Sequence, residues 1–178
     1  TCQILTDLYG VTYGNDTFVG VGASGKIVKS TDNASSWNNP NSGISQNLNG
    51  VTFGNNTFVA VGDSGTIVRS ANYGSSWNDP NSGISQNLNR VTFGNNTFVA
   101  VGQSGKILRS TGDGSSWNNS TSGLPASSSY NLNGVTFGND TFVGVAKSGK
   151  IVRSINNGTN WDNATSGLPA SSSYNLNG

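Results

Sequence analysis

Apolar residues along this chain fall into short clusters that return at a fixed step. Val11, Val51, Val91 and Val135 hold equivalent places, at intervals of 40, 40 and 44 residues, and Trp37, Trp77, Trp117 and Trp161 keep the same step. The copy that starts at Leu48 predicts four strands: A over about 48–53, B over about 57–61, C over about 66–70, and D from near Ser76, carrying Trp77. Their Val-, Ile- and Phe-rich cores are bounded by Gly and Asn, as strands are. Strand B, Thr57-Phe58-Val59-Ala60-Val61, shows little polar alternation, which suits a strand covered on both faces. Gly54-Asn55-Asn56-Thr57 reads as a tight hairpin, because Asn accepts the positive φ of a two-residue turn. Gly62-Asp63-Ser64-Gly65 links B to C, with glycines where the backbone bends sharply. No segment has a helical period. A repeat near 40 residues with four short strands per copy predicts an all-β chain built as a β-propeller.

The whole of 1–178 reads as one repeat array with blades at approximately 8–47, 48–87, 88–131 and 132–178. Residues 1–7 form a non-repeating lead in which Ile4 and Leu5 suit an extra strand. Copies three and four carry a longer tail, Ser-Gly-Leu-Pro-Ala-Ser-Ser-Ser-Tyr, and Asn175-Leu176-Asn177-Gly178 repeats the opening of strand A. A lone blade cannot bury both its faces, so the array must close or stack. Three outcomes follow: a four-bladed ring closed alone, a larger ring completed by oligomerisation, or copies joined head to tail, where a join that does not close gives a filament.

Composition narrows the chemistry. Nine Lys and Arg face eight Asp, for a net charge of +1, with no Glu and no His. That balance gives no basic excess for nucleic acid. No apolar run approaches the roughly 18 residues of a membrane helix, so membrane insertion is not expected. The single Cys2 has no internal partner, and it is either an incidental thiol or an intermolecular one.

The C-to-D turn carries a family resemblance. Ser30-Thr31-Asp32-Asn33-Ala34-Ser35-Ser36-Trp37 resembles the Asp-box (bacterial neuraminidase repeat) pattern Ser-x-Asp-x-Gly-x-Thr-Trp. Copy two offers Ser70, Asn72, Gly74, Ser76 and Trp77, and copy four offers Ser154, Asn156, Gly158, Asn160 and Trp161. Copy three has Ser110, Gly112, Gly114, Ser116 and Trp117, with Asp113 displaced by one place. The Val-Gly-x-Ser-Gly-x-Ile-Val-Arg-Ser segment is also similar to repeats of photosystem II assembly-factor-like propellers. The resemblance implies a structural role for Asp32, Asn72, Asn156 and the four tryptophans, with the Asp or Asn side chain bonding N–H groups of its own turn.

Asp boxes occur in sialidases, whose site is known for an arginine cluster, a Tyr-Glu pair and an Asp acid. Without Glu that pair cannot exist here. Arg69, Arg109, Arg153 and Lys29 share one repeat position instead of converging, and suit side chains laid along a blade edge. Without His and with one Cys, most nucleophile and metal options are gone. The chain is therefore expected to be no enzyme, with no cofactor and no metal.

Strand alternation sorts the connections onto two faces. On the B–C/D–A face the copies differ: Ala23, Asp63, Gln103 and Lys147 vary at one loop position, and Tyr130 and Tyr174 end the longer tails. Variable loops on a fixed scaffold are where binding is expected. Asp63, Gln103, Lys147, Tyr130 and Tyr174 are the candidates for contact with a glycan or a protein surface. Glycosylation sequons occur at Asn15, Asn55, Asn95 and Asn139 in A–B turns, Asn33 and Asn157 in C–D turns, and Asn118, Asn119 and Asn163 in strand D. Occupied, they would coat the opposite face. The hairpin itself also generates the match, since Asn suits the turn and Thr begins strand B. The expectation is a non-catalytic extracellular or cell-surface scaffold; the alternative is a glycosylated structural subunit of a surface assembly or filament, with itself as partner.

Overall fold

The computed structural model describes residues 6–120, 122–124 and 130–164. Cys2, the lead strand expected at Ile4 and Leu5, Tyr174 and the strand-A opening at 175–178 lie outside the described residues. The described residues form four antiparallel sheets in chain order. Blade one is β1 (Leu8–Gly14), β2 (Thr17–Gly22) and β3 (Ile27–Ser30). Blade two is β4 (Leu48–Gly54), β5 (Thr57–Gly62) and β6 (Ile67–Ser70). Blade three is β7 (Leu88–Gly94), β8 (Thr97–Gly102), β9 (Ile107–Thr111) and β10 (Asn118–Asn119). Blade four is β11 (Leu132–Gly138), β12 (Thr141–Ala146), β13 (Ile151–Ser154) and β14 (Asp162–Ala164).

Four strands per blade is thus corrected for the first two copies. There strand D shrinks to one bridge, Lys29 with Asn38 and Arg69 with Asn78. The reason is proline. In blade three the Ser120 N–H donates to the Ile107 carbonyl at 2.9 Å and extends the ladder. Pro40 and Pro80 hold the equivalent places and have no N–H to give.

The A–B hairpins follow their turn chemistry. Asn55 and Asn56 have φ of 46° and 55°, and the other three turns repeat the pair, the double-positive turn that matches strand twist. In each, the Thr hydroxyl that opens strand B donates to the carbonyl of the turn's first Asn, as Thr57 does to Asn55 at 3.2 Å. The Thr of these sequons therefore has a folding role of its own.

The core lies between blades. Val59, Val61 and Ile67 of blade two pack against Leu88, Phe98, Ala100 and Leu108 of blade three, and the other two junctions repeat the set. Glycine makes the join close: a Cβ at Gly54 would lie 2.0 Å from the Phe93 ring, and one at Gly94 equally near Phe137. Blades one, two and three thus each accept the ring of the next onto a bare backbone. Inner strands pack in a row, β1 on β4, β4 on β7 and β7 on β11. Among the described residues the row does not close on itself. Val91 is 8% exposed, whereas Val11 is 67% exposed and Tyr13 53%.

Candidate functional site

Strand A carries an irregularity in every blade that aims side chains at the axis. The register of β4 with β5 shifts between Leu48 and Gly50, and β1, β7 and β11 shift at the same place. A bulge of this kind turns the extra residue out of the ladder. The residues so placed are Tyr9, Asn49, Asn89 and Asn133, and all four line one cavity of about 670 Å³ on the B–C/D–A face. Asn47, Asp63, Arg90, Gln103 and Asn131 complete its wall.

Hydrogen bonds hold that wall in place. Asn49 Nδ2 donates to the Leu88 carbonyl of the next blade at 2.9 Å, and Asn89 Nδ2 does the same to Leu132 at 2.7 Å. The Asp63 carboxylate accepts from Asn47 Nδ2 and Asn49 Nδ2, both at 3.0 Å. Arg90 Nη1 donates to the Asn49 and Asn89 carbonyls at 2.9 and 2.8 Å. Its other guanidinium nitrogens have no partner among the described residues. B–C loops are pinned from the neighbouring blade as well: the Ser24, Ser64 and Ser104 N–H groups donate to the side-chain oxygens of Asn47, Asn87 and Asn131. The site is a rigid, half-buried cup of amides with one anion and one cation in its wall.

Of the residues singled out in the sequence, Asp63 and Gln103 come together here. Lys147 is exposed on its own B–C turn and does not line the cavity. Tyr130 is half-buried against the core between blades three and four, with Lys150 Nζ 5.9 Å from its ring centre. Tyr174 lies outside the described residues. Arg90 and the bulged asparagines are functional candidates that the loop comparison missed. Arg90 had a signal: it replaces Gly10, Gly50 and Gly134 in an otherwise repeated strand.

The C–D turns are built as the Asp-box resemblance implies. Asn72 Oδ1 accepts from Ser70 Oγ at 2.9 Å and from the Ser76 N–H at 3.0 Å, while Gly74 N–H donates to Ser70 Oγ. Asn156 repeats this with Ser154 and Asn160. Asp32 repeats it with Ser30 and Ser36, and the Ser36 and Ser30 hydroxyls pull its carboxyl down from the ordinary 3.8 to about 2. In blade three Gly112 has no side chain for this, and Ser110 Oγ is buried without a partner among the described residues. Asp113, one place on, instead accepts from Arg69 of blade two at 3.0 Å. Hydrogen bonds from Ser115 and the Arg69 charge hold that carboxyl below its usual range. Each indole N–H donates to the carbonyl at the turn's tip, Trp37 to Ala34, Trp77 to Gly74, Trp117 to Gly114 and Trp161 to Gly158.

The sequon asparagines 15, 33, 55, 95, 118, 119, 139 and 163 are exposed. Asn157 is half-buried and accepts from Asn95 Nδ2 at 2.6 Å. Among the described residues no cluster of three or more His, Cys, Asp or Glu could hold a metal, and no helix is long and apolar enough to cross a membrane.

No protein-family model matches this chain, and no curated protein does. Its solved structural neighbours are propeller proteins. One is YCF48 bound to D1 peptide (TM-score 0.68, 15% identity), covering 89% of this chain and 53% of the neighbour. The WD40 β-propeller domain of Doa1 follows (0.65, 16%), covering 92% and 56%. An ancestral GH74 enzyme also matches (0.70, 18%), covering 92% of this chain but 24% of its own. At such identity the likeness shows the fold alone. That fold is a β-propeller array similar to photosystem II assembly-factor propellers. The chain spans a little over half the length of YCF48 and of the Doa1 domain.

Proposed function

We propose that this chain is a non-catalytic scaffold, extracellular or at the cell surface, that binds a protein segment or a glycan on its B–C/D–A face. The observation that carries this reading is the axial cup, where Asn49, Asn89, Asp63, Arg90 and Gln103 converge on one cavity. Amide side chains offer donors and acceptors in pairs, which suits a peptide backbone or a polyol equally. Arg90 and Asp63 favour a peptide, because a neutral sugar gains little from either charge. The neighbour bound to D1 peptide is consistent with that preference. A non-catalytic role is supported by the engagement of both Asp63 oxygens with amide donors, and by a sequence without Glu or His. Lys147 belongs to this proposal only as the rim of the same face; Tyr130 packs instead against the core between blades three and four, and Tyr174 lies outside the described residues.

Screening the chain on peptide and glycan arrays tests it. Binding to charged peptides is expected, with neutral glycans weaker. Absence of signal on both arrays at high protein concentration would overturn the reading.

The second reading, a glycosylated structural subunit, draws support from eight exposed sequon asparagines, four of them at hairpin tips. Intact mass of material from a glycosylating host is expected to exceed the peptide mass, and a mass equal to it removes this reading.

A further inference from the structure

Arg90 brings the cation of the axial cup into a position that the other three copies leave bare. Gly10, Gly50 and Gly134 hold the equivalent place, and a Cβ built on Gly50 would stand 3.3 Å from the Arg90 Cα. Inner strands therefore approach closely here, and only β7 raises a long side chain from the point of approach. β7 is flanked by β4 on one side and β11 on the other, so both blades beside Arg90 are in place.

The bonds Arg90 makes fix how the rest of its guanidinium can be used. Nη1 spends both its hydrogens on the Asn49 and Asn89 carbonyls, at 2.9 and 2.8 Å. That leaves Nε–H and Nη2–H, parallel donors along one edge of a planar group, without a partner among the described residues. An edge of that shape matches the two oxygens of a carboxylate. Asp63 does not fill it. The one ion pair among the described residues joins Arg69 to Asp113, and both Asp63 oxygens accept from Asn47 and Asn49 instead. The half-buried Arg90 charge is oriented without being neutralised.

Acceptors stand beside this fork. Nδ2 of Asn49 is committed to Asp63 and to the Leu88 carbonyl, and Nδ2 of Asn89 to the Leu132 carbonyl. Their Oδ1 atoms carry no partner among the described residues and remain to accept N–H groups. A fixed fork in one wall with two amide oxygens is the complement of a carboxylate carried on a peptide backbone.

Resting on the reading of the cup as a peptide site, we propose that it selects peptides by a carboxylate, seated bidentate on Nε and Nη2 of Arg90. N–H groups of the same peptide are taken by Oδ1 of Asn49 and Asn89. A phosphate group fits less well. It would bring close to two negative charges to a wall that holds one cation and, in Asp63, one anion, whereas a carboxylate balances Arg90 alone. The carboxylate comes from the peptide's C-terminus or from an Asp or Glu side chain.

A peptide array printed in matched triplets tests this. Each sequence appears with a free C-terminus, with an amidated C-terminus, and amidated with every Asp and Glu changed to Asn and Gln. The third form is expected to lose about tenfold or more in affinity, the scale of a lost bond to a charged group. Binding kept by the second form assigns the carboxylate to a side chain, and binding lost there assigns it to the C-terminus. Arg90→Lys keeps the charge but not the planar fork, and is expected to bring the carboxylate forms down to the level of the third. Peptides that bind equally in all three forms, or equally to wild type and to Arg90→Lys, overturn the carboxylate assignment and leave the cup a peptide site. Absence of binding in every form overturns the peptide site itself, and the assignment with it.

Discussion

Blades one and two share nearly the same sequence and differ in what stands before them. Blade two has a predecessor, so Phe53 lies on Gly14, and a Cβ at Gly74 would lie 3.3 Å from Val19. Blade one has none, and Tyr13, Val11 and Trp37 stand open although their strands and turns are formed alike. Local structure in this chain is therefore set within a blade, while burial is set between blades. That is the behaviour of a quasi-one-dimensional array, in which each repeat is stabilised by its neighbours.

The difference can be broken most forcefully in the interior. Phe58→Ala removes a fully buried ring from the first junction and is expected to cost about 3–5 kcal/mol by denaturant unfolding. Phe18→Ala, at the equivalent position of blade one, removes a ring that is only half-buried and is expected to cost less than Phe58→Ala. Gly54→Val pushes a side chain into the Phe93 ring and is expected to cost about 1–3 kcal/mol or more. Gly138→Val meets open space and should leave the melting temperature of the isolated chain unchanged. Equal costs within either pair would show that the interior and the ends are not distinguished by their neighbours.

Much of this was legible in the sequence, because a blade's needs are local. The hairpin asparagines, the apolar strand B and the tryptophan step led directly to the strands, and β4, β5 and β6 lie within a residue or two of the expected A, B and C. Strand D was over-read in copies one and two: Pro40 and Pro80 were visible, but the ladder bond they forfeit shows only against Ser120 and Ile107. The strand-A bulge could not be read at all. It is a register event between two strands, and without it Asn49 and Asn89 look like ordinary repeat residues. Closure was also beyond reach, since ring size depends on small rotations between blades that no single copy encodes.

A finer contrast separates the C–D turns of blades two and three. Ser70→Ala loses the bond to Asn72 and leaves the Gly74 N–H without its acceptor, with an expected cost of about 1–3 kcal/mol. Ser110→Ala removes a hydroxyl that has no partner among the described residues and should change stability by less than about 0.5 kcal/mol. A large loss for Ser110→Ala would mean that this hydroxyl is satisfied in solution. The smallest effect is expected at Asp32. Its carboxyl is depressed to about 2 in the fold from 3.8, so the stability it adds is present above pH 3.8 and is lost as pH falls through about 2. Asp32→Asn should be near neutral at pH 7, because Asn72 and Asn156 make the same turn bonds. The variant should also unfold less steeply with acid, and an unchanged acid profile would show that Asp32 does not contribute to it.

In the proposed function, the repeat builds the scaffold and its departures furnish the binding site. The double reversion Asp63→Ala with Arg90→Gly tests this most directly, since it returns both positions to residues found in copy one. Binding to the array peptides and thermal unfolding are measured on the same preparation. The scaffold account predicts a melting temperature close to wild type and loss of peptide binding; binding retained at full strength would contradict it.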